Sequence, residues 1–99
     1  MKIAIAAQGT DKTSKVSERG GRAPYYLIFE DGELIEAFKN PFATGGGGAG
    51  FAVPKALAQK GVEKVIGKQF GGNMLRAMEE TGIVMAETTE QTVEEALKD

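Results

Sequence analysis

"YYLIFEDGELIEAFK", residues 25–39, decides the fold of this chain. Two apolar-rich runs, Tyr25–Glu30 and Glu33–Lys39, flank Asp31-Gly32. Asp-Gly between such runs predicts a tight β-hairpin, because a two-residue turn that suits strand twist needs positive φ. Upstream, "KIAIAAQ" (Lys2–Gln8) alternates and is largely apolar, as a buried strand should be. Downstream the pattern changes to helix, strand, helix, strand, helix. Val53, Ala56 and Leu57 share one helical face, with the helix starting between Ala49 and Val53, Pro54 in its first turn and Gly61 as its terminator. "VEKVIG" (Val62–Gly67) reads as a short buried strand. Asn73 is expected to cap a helix whose apolar face is Met74, Leu75 and Met78, ended by Gly82. "IVMAE" (Ile83–Glu87) is a further strand, and Thr92 with Glu95 forms a capping box for a last helix facing inward through Val93, Ala96 and Leu97.

Alternating strand and helix after the hairpin implies parallel pairing through right-handed crossovers. The predicted architecture is a three-layer α/β/α domain spanning residues 1–99. Its mixed five-stranded sheet has order 3-2-1-4-5 with the second strand antiparallel, a ribonuclease H-like topology. A chain of 99 residues with 26% charged and 41% hydrophobic residues suits one globular domain. Cysteine and histidine are both absent, which removes thiolate and imidazole ligands, disulfides and the usual general base. A net charge of −2 argues against non-specific nucleic-acid binding as the main task. The opening "MKIAIAAQGTDK" has too short an apolar run for a signal peptide or a membrane span, so a cytoplasmic protein without a membrane partner is expected.

This topology sends the segments after the first, third and fourth strands, Gly9–Ala23, Asn40–Gly50 and Lys68–Asn73, to one end of the sheet. Open α/β sheets bind ligands there. "NPFATGGGGAGF" (Asn40–Phe51) brings Gly45, Gly46, Gly47, Gly48 and Gly50 in front of a helix N-terminus, where unpaired N–H groups and the dipole favour an anion. The long first connection carries Lys12, Lys15, Arg19 and Arg22, and the third supplies Gly72 and Asn73 at another helix start. Of these, Lys12, Arg19, Arg22, Gly45, Gly46, Gly47, Gly48, Gly50, Gly72 and Asn73 are the candidate ligand-binding set. Phe42, Phe51 and Phe70 lie nearby as a lid or as packing. Met74 and Met78 read as core filling rather than sulfur ligands.

Familiar chemistries fit poorly. Gly45, Gly47 and Gly50 satisfy G-x-G-x-x-G, but Gly67-Lys68 stands where a dinucleotide site needs an acid. A Walker loop needs Gly-Lys-Ser/Thr, and Gly50-Phe51-Ala52 follows instead. Two-metal phosphodiester cleavage needs converging carboxylates, yet the polar residues of the first strand are Lys2 and Gln8. Ser14 and Ser17 have no evident base. A non-catalytic role is expected.

"VSERGGRAPYYLIFEDGEL", "NPFATGGGGAGF" and "TVEEAL" together resemble the dinitrogenase iron–molybdenum cofactor biosynthesis accessory family, which includes NifX, NifY and the C-terminal domain of NifB. The resemblance covers roughly residues 1–97 and implies the ribonuclease H-like fold. It also implies binding or carriage of iron–molybdenum cofactor or its precursors, with a protein partner in cluster assembly. The orange protein, a stand-alone relative, holds a molybdenum–copper sulfide cluster non-covalently. The family pattern Ser-Glu-His-Phe-Gly-Arg-Ala appears here as Ser17-Glu18-Arg19-Gly20-Gly21-Arg22-Ala23. Arginine does not ligate a metal at neutral pH but donates several hydrogen bonds to a sulfide- or oxygen-rich anion, which favours outer-sphere binding over direct coordination. Three readings stay open: a carrier for an anionic metal–sulfur cluster or oxyanion, an interaction or regulatory domain that has lost cluster binding, and an enzyme of unspecified chemistry.

Overall fold

Asp31 and Gly32 both take positive φ, 51° and 84°, the backbone of a two-residue turn whose twist matches its strands. In the computed structural model, which describes residues 1–20, 22–41 and 49–98, this turn joins β2 (Tyr25–Glu30) to β3 (Glu33–Lys39). Their antiparallel register runs from Glu30 opposite Glu33 to Tyr25 opposite Lys39. A shift between Ile28 and Phe29 lets β3 carry one extra residue, and Ile35 lies exposed there. β1 (Lys2–Ala7) pairs antiparallel with β2 and parallel with β4 (Val62–Gly67), which in turn pairs parallel with β5 (Val84–Glu87). The five-stranded order is β3-β2-β1-β4-β5, as the sequence pattern predicts.

Two hydrophobic layers separate on the strand period of two. Ala4, Ala6, Tyr26, Ile28 and Val65 face the side occupied by α1 (Ala49–Gln59) and α2 (Gly72–Thr81). Ile5, Ala7, Leu27, Phe29 and Ile66 face α3 (Val93–Lys98). Val62 and Val65 share the first layer although they are three apart. The register shift between Lys2 and Ile3 against β4 admits the extra residue that makes this possible.

The helix stops follow local chemistry, while other details differ from the sequence expectation. Gly61 and Gly82 stop α1 and α2 with φ of 82° and 78°, values that only glycine adopts at little cost. After α2 the Ile83 N–H bonds to Met78 O at 2.9 Å, and both side chains are buried, giving a paired hydrophobic and hydrogen-bonded stop. Ile83 is thereby drawn into the helix stop, so β5 begins one residue later than predicted. Pro54 lies inside α1 rather than in its first turn, because the helix already starts at Ala49. Leu75 is exposed, and Ala77 takes its place beside Met74 and Met78 on the buried face of α2. At α3 the capping box is present: Thr92 N–H donates to Glu95 Oε1 at 3.2 Å and Glu95 N–H to Thr92 Oγ1 at 3.4 Å.

Tyr26 is wholly buried in the α1/α2 layer, yet its hydroxyl has no hydrogen-bond partner among the described residues. Burial pushes the phenol far above its ordinary pKa, so it is neutral. An unpaired buried hydroxyl costs about 1–3 kcal/mol. Tyr26→Phe is therefore expected to stabilise the protein by about 1 kcal/mol, raising the Tm by about 4–8 °C in a domain of this size. Thermal denaturation followed by circular dichroism checks this. A lowered Tm would mean that the hydroxyl is paired in solution.

Candidate functional site

Because β2 alone is antiparallel to β1, the carboxyl ends of β1, β3, β4 and β5 lie at one rim, where β2 begins. The chain leaving β1 folds back on that rim. Ser17 N–H donates to Ala6 O and Gln8 N–H to Lys15 O, both at 2.9 Å, and Ala7 bridges Val16. The same stretch reaches the start of α3: Val93 and Glu94 N–H donate to Ser14 O and Lys12 O, each at 2.9 Å. Those carbonyls satisfy donors that a helix start otherwise leaves unpaired. Asp11 stiffens the turn by accepting from Thr13 Oγ1 at 2.6 Å and Thr13 N at 3.0 Å. The Thr13 hydroxyl bond is the main cause of the lowered Asp11 pKa.

The second half of this connection joins a different neighbour. Gly20 N–H donates to Gln69 O at 2.6 Å, and Ser17 Oγ donates to Arg19 O at 3.2 Å. Lys68 Nζ stands 3.5 Å from Glu18 Oε1. Residues 17–20 are thus fastened to the segment between β4 and α2. A third fastening comes from Asn40, only 4% exposed, just after β3. Its Nδ2 donates to Ala23 O and its backbone N–H to Pro24 O, both at 2.9 Å. Sequence reading passed over Asn40. The available signal was a short amide side chain between a strand end and a proline, a position suited to side-chain bonding of a neighbouring backbone.

The start of α2 lies beside residues 17–20. Its N-cap is Gly71, extended at φ −71° and ψ 160°, with no side-chain cap. Asn73 is therefore not the predicted cap: the helix begins earlier, at Gly72, and Asn73 is in the first turn. The turn holds no acidic residue, and among the described residues an added Cβ at Gly71 or Gly72 would meet nothing within 4 Å. Uncapped N–H groups and an open approach suit an anion.

The other expected residues distribute unevenly. Arg19 and Arg22 are exposed on the segment fastened to the α2 start and to Asn40. Lys12 is exposed as well, but its backbone is tied to α3. Gly50 falls in the first turn of α1. Gly45, Gly46, Gly47 and Gly48, with Phe42, lie outside the described residues, while their flanks, Asn40–Pro41 and Ala49, belong to the rim end of β3 and the start of α1. Met74 and Met78 are core residues, each 1% exposed. Among the described residues no cluster of three or more acidic groups could hold a metal ion. The donors at this rim are N–H groups and cations.

The sequence profile described as dinitrogenase iron–molybdenum cofactor matches residues 1–99. The chain belongs to the dinitrogenase iron–molybdenum cofactor family. Solved structures agree with that membership. The apo orange protein of Desulfovibrio gigas superposes with a TM-score of 0.90 at 26% identity, covering 98% of this chain and 83% of that one. A Thermotoga protein described as a candidate NifB superposes with a TM-score of 0.85 at 32% identity, covering 98% of this chain and 84% of that one. No curated protein sequence matches the chain significantly. The iron–molybdenum cofactor family is associated with cofactor biosynthesis. Among the described residues no helix of this family member is long and apolar enough to cross a membrane.

Asn40→Ala removes the side-chain bond to Ala23 O and leaves that acceptor without its donor. A loss of about 1–3 kcal/mol in unfolding free energy is expected, measured by urea denaturation. A loss below the error of the fit would show that the Asn40 clamp does not hold the two connections together.

Proposed function

We propose that this chain is a non-catalytic carrier for an anionic metal–sulfur cluster of the iron–molybdenum cofactor pathway, gripped at the carboxyl rim of the sheet. The observation that carries this reading is the 2.6 Å bond from Gly20 N–H to Gln69 O, which sets Arg19 and Gly20 beside the uncapped start of α2, with Arg22 close behind in the chain. Guanidinium groups and helix N–H groups form one donor surface there, and the family supplies the class of guest. Lys12, Gly50, Gly72, Asn73 and the glycines Gly45–Gly48 complete the proposed set.

The chemistry of the donors determines the mode of binding. The chain has no cysteine or histidine, and the sulfurs of Met74 and Met78 are used in the core. The cluster therefore keeps its own sulfide or oxide shell, and the protein donates hydrogen bonds and positive charge to that shell. Such a grip releases its cargo without breaking a protein–metal bond, which suits transfer to a protein partner in cofactor assembly. It is also screened by salt, because much of the attraction is between partly exposed charges.

Titration with tetrathiomolybdate and cuprous ion tests the reading. The protein is expected to retain a coloured complex through gel filtration, with affinity falling as ionic strength rises. Arg19→Ala with Arg22→Ala should weaken binding by about tenfold per lost charge-assisted contact. Full affinity in the double variant would move the site elsewhere. Absence of any complex in the unmodified protein would favour an interaction domain without cluster binding.

A further inference from the structure

Phe70 occupies a position that no role in the site yet explains. Its ring lies where two glycines have no side chain. A Cβ added to Gly67, the last residue of β4, would stand 2.7 Å from Phe70 Cζ and 3.3 Å from Cε2. A Cβ added to Gly20 would collide with the Phe70 ring from the other segment and fall 2.9 Å from Gln69 O. Neither glycine has a positive φ that would otherwise explain its presence. The missing side chains make room for the ring, and the ring in turn packs against the α1/α2 core. The bond from Gly20 N–H to Gln69 O closes the contact one residue away.

We propose that Phe70 is a positioning residue for the anion site, an aromatic pin that sets the separation between the Arg19–Arg22 segment and the start of α2. The pin connects β4, through Gly67, with the segment carrying both arginines, through Gly20, and it immediately precedes the Gly71 cap of α2. The ring thereby meets β4 and the arginine-bearing segment while its own backbone leads directly into α2, the three parts whose mutual placement decides how guanidinium and helix N–H donors converge. Binding geometry is most exact where its supporting side chains are locked by packing, and Phe70 supplies that lock without touching the guest. This inference rests on the anion-carrier reading only for its functional consequence; the pin itself is testable without a ligand.

The test uses two single variants, Phe70→Ala and Gly67→Ala, with their double variant. The three atoms nearest a Cβ added at Gly67 all belong to the Phe70 ring, so the tightest conflict of Gly67→Ala is with the ring. Each single change should speed hydrogen exchange at the Gly20 amide and weaken tetrathiomolybdate binding by about tenfold, the scale of one displaced charge-assisted contact. In the Gly67→Ala, Phe70→Ala double variant the loss should be no larger than for Phe70→Ala alone, since the added methyl then has nothing to push. Unchanged Gly20 exchange in Phe70→Ala, or additive losses in the double variant, would overturn the pin. If the unmodified protein binds no tetrathiomolybdate, the carrier reading fails, and Gly20 exchange across the three variants still decides whether Phe70 pins the rim. If binding is present and Phe70→Ala loosens Gly20 without changing affinity, the positioning role is overturned while the carrier reading stands.

Discussion

Reversal of the chain at Asp31-Gly32 is the constraint on which the rest depends. It makes β2 antiparallel and returns β3 to the direction of β1, so that β1, β3, β4 and β5 all end at the same rim. A connection by crossover at this point would have made β3 parallel to β2, sending its end to the opposite rim. Three strands therefore end where their connections leave the sheet, and the hydrophobic layers on both faces hold those strands in place. The proposed site draws on what remains there: backbone N–H groups, guanidinium groups and glycines.

The connections do not simply hang over the rim. Carbonyls of Lys12 and Ser14 satisfy the first N–H groups of α3, so this helix start is used in structure and offers little to a ligand. The start of α2 has neither a side-chain cap nor an acidic first turn. Two helix starts in one small domain thus have opposite fates, decided by whether a neighbouring loop reaches them. Asn40 and Phe70 impose the remaining order, one through a buried amide and the other through a ring that two glycines admit.

Much of the fold is legible in the residues. Asp31-Gly32, the alternation of Lys2–Ala7, the terminating Gly61 and Gly82, and the Thr92–Glu95 box each act within a few residues, and each does what its local chemistry implies. The misplaced details share a cause. Asn73 looks like a cap, but Gly71 can take the extended cap conformation two residues earlier, so the asparagine falls inside the helix. Leu75 looks apolar enough for the core, but packing turns α2 so that the smaller Ala77 is buried instead. Partners in distant segments were not legible: nothing in the spacing of Gly20, Gly67 and Phe70 announces that they meet, and the setting of Asn40 before a proline suggests a backbone bond without naming Ala23 as its partner. Charge and glycine content point to the rim, whereas its internal order arises from tertiary contacts.

The central claim is that cationic side chains and the start of α2 form one surface for an anionic cluster. Backbone amide NMR during titration with tetrathiomolybdate measures this most directly. The account predicts that the largest shifts fall together on Arg19, Gly20 and Arg22 and on Gly71, Gly72 and Asn73, with the amides of Val93 and Glu94 in α3 little affected. Shifts centred on α3, or confined to one of the two rim segments, would contradict it.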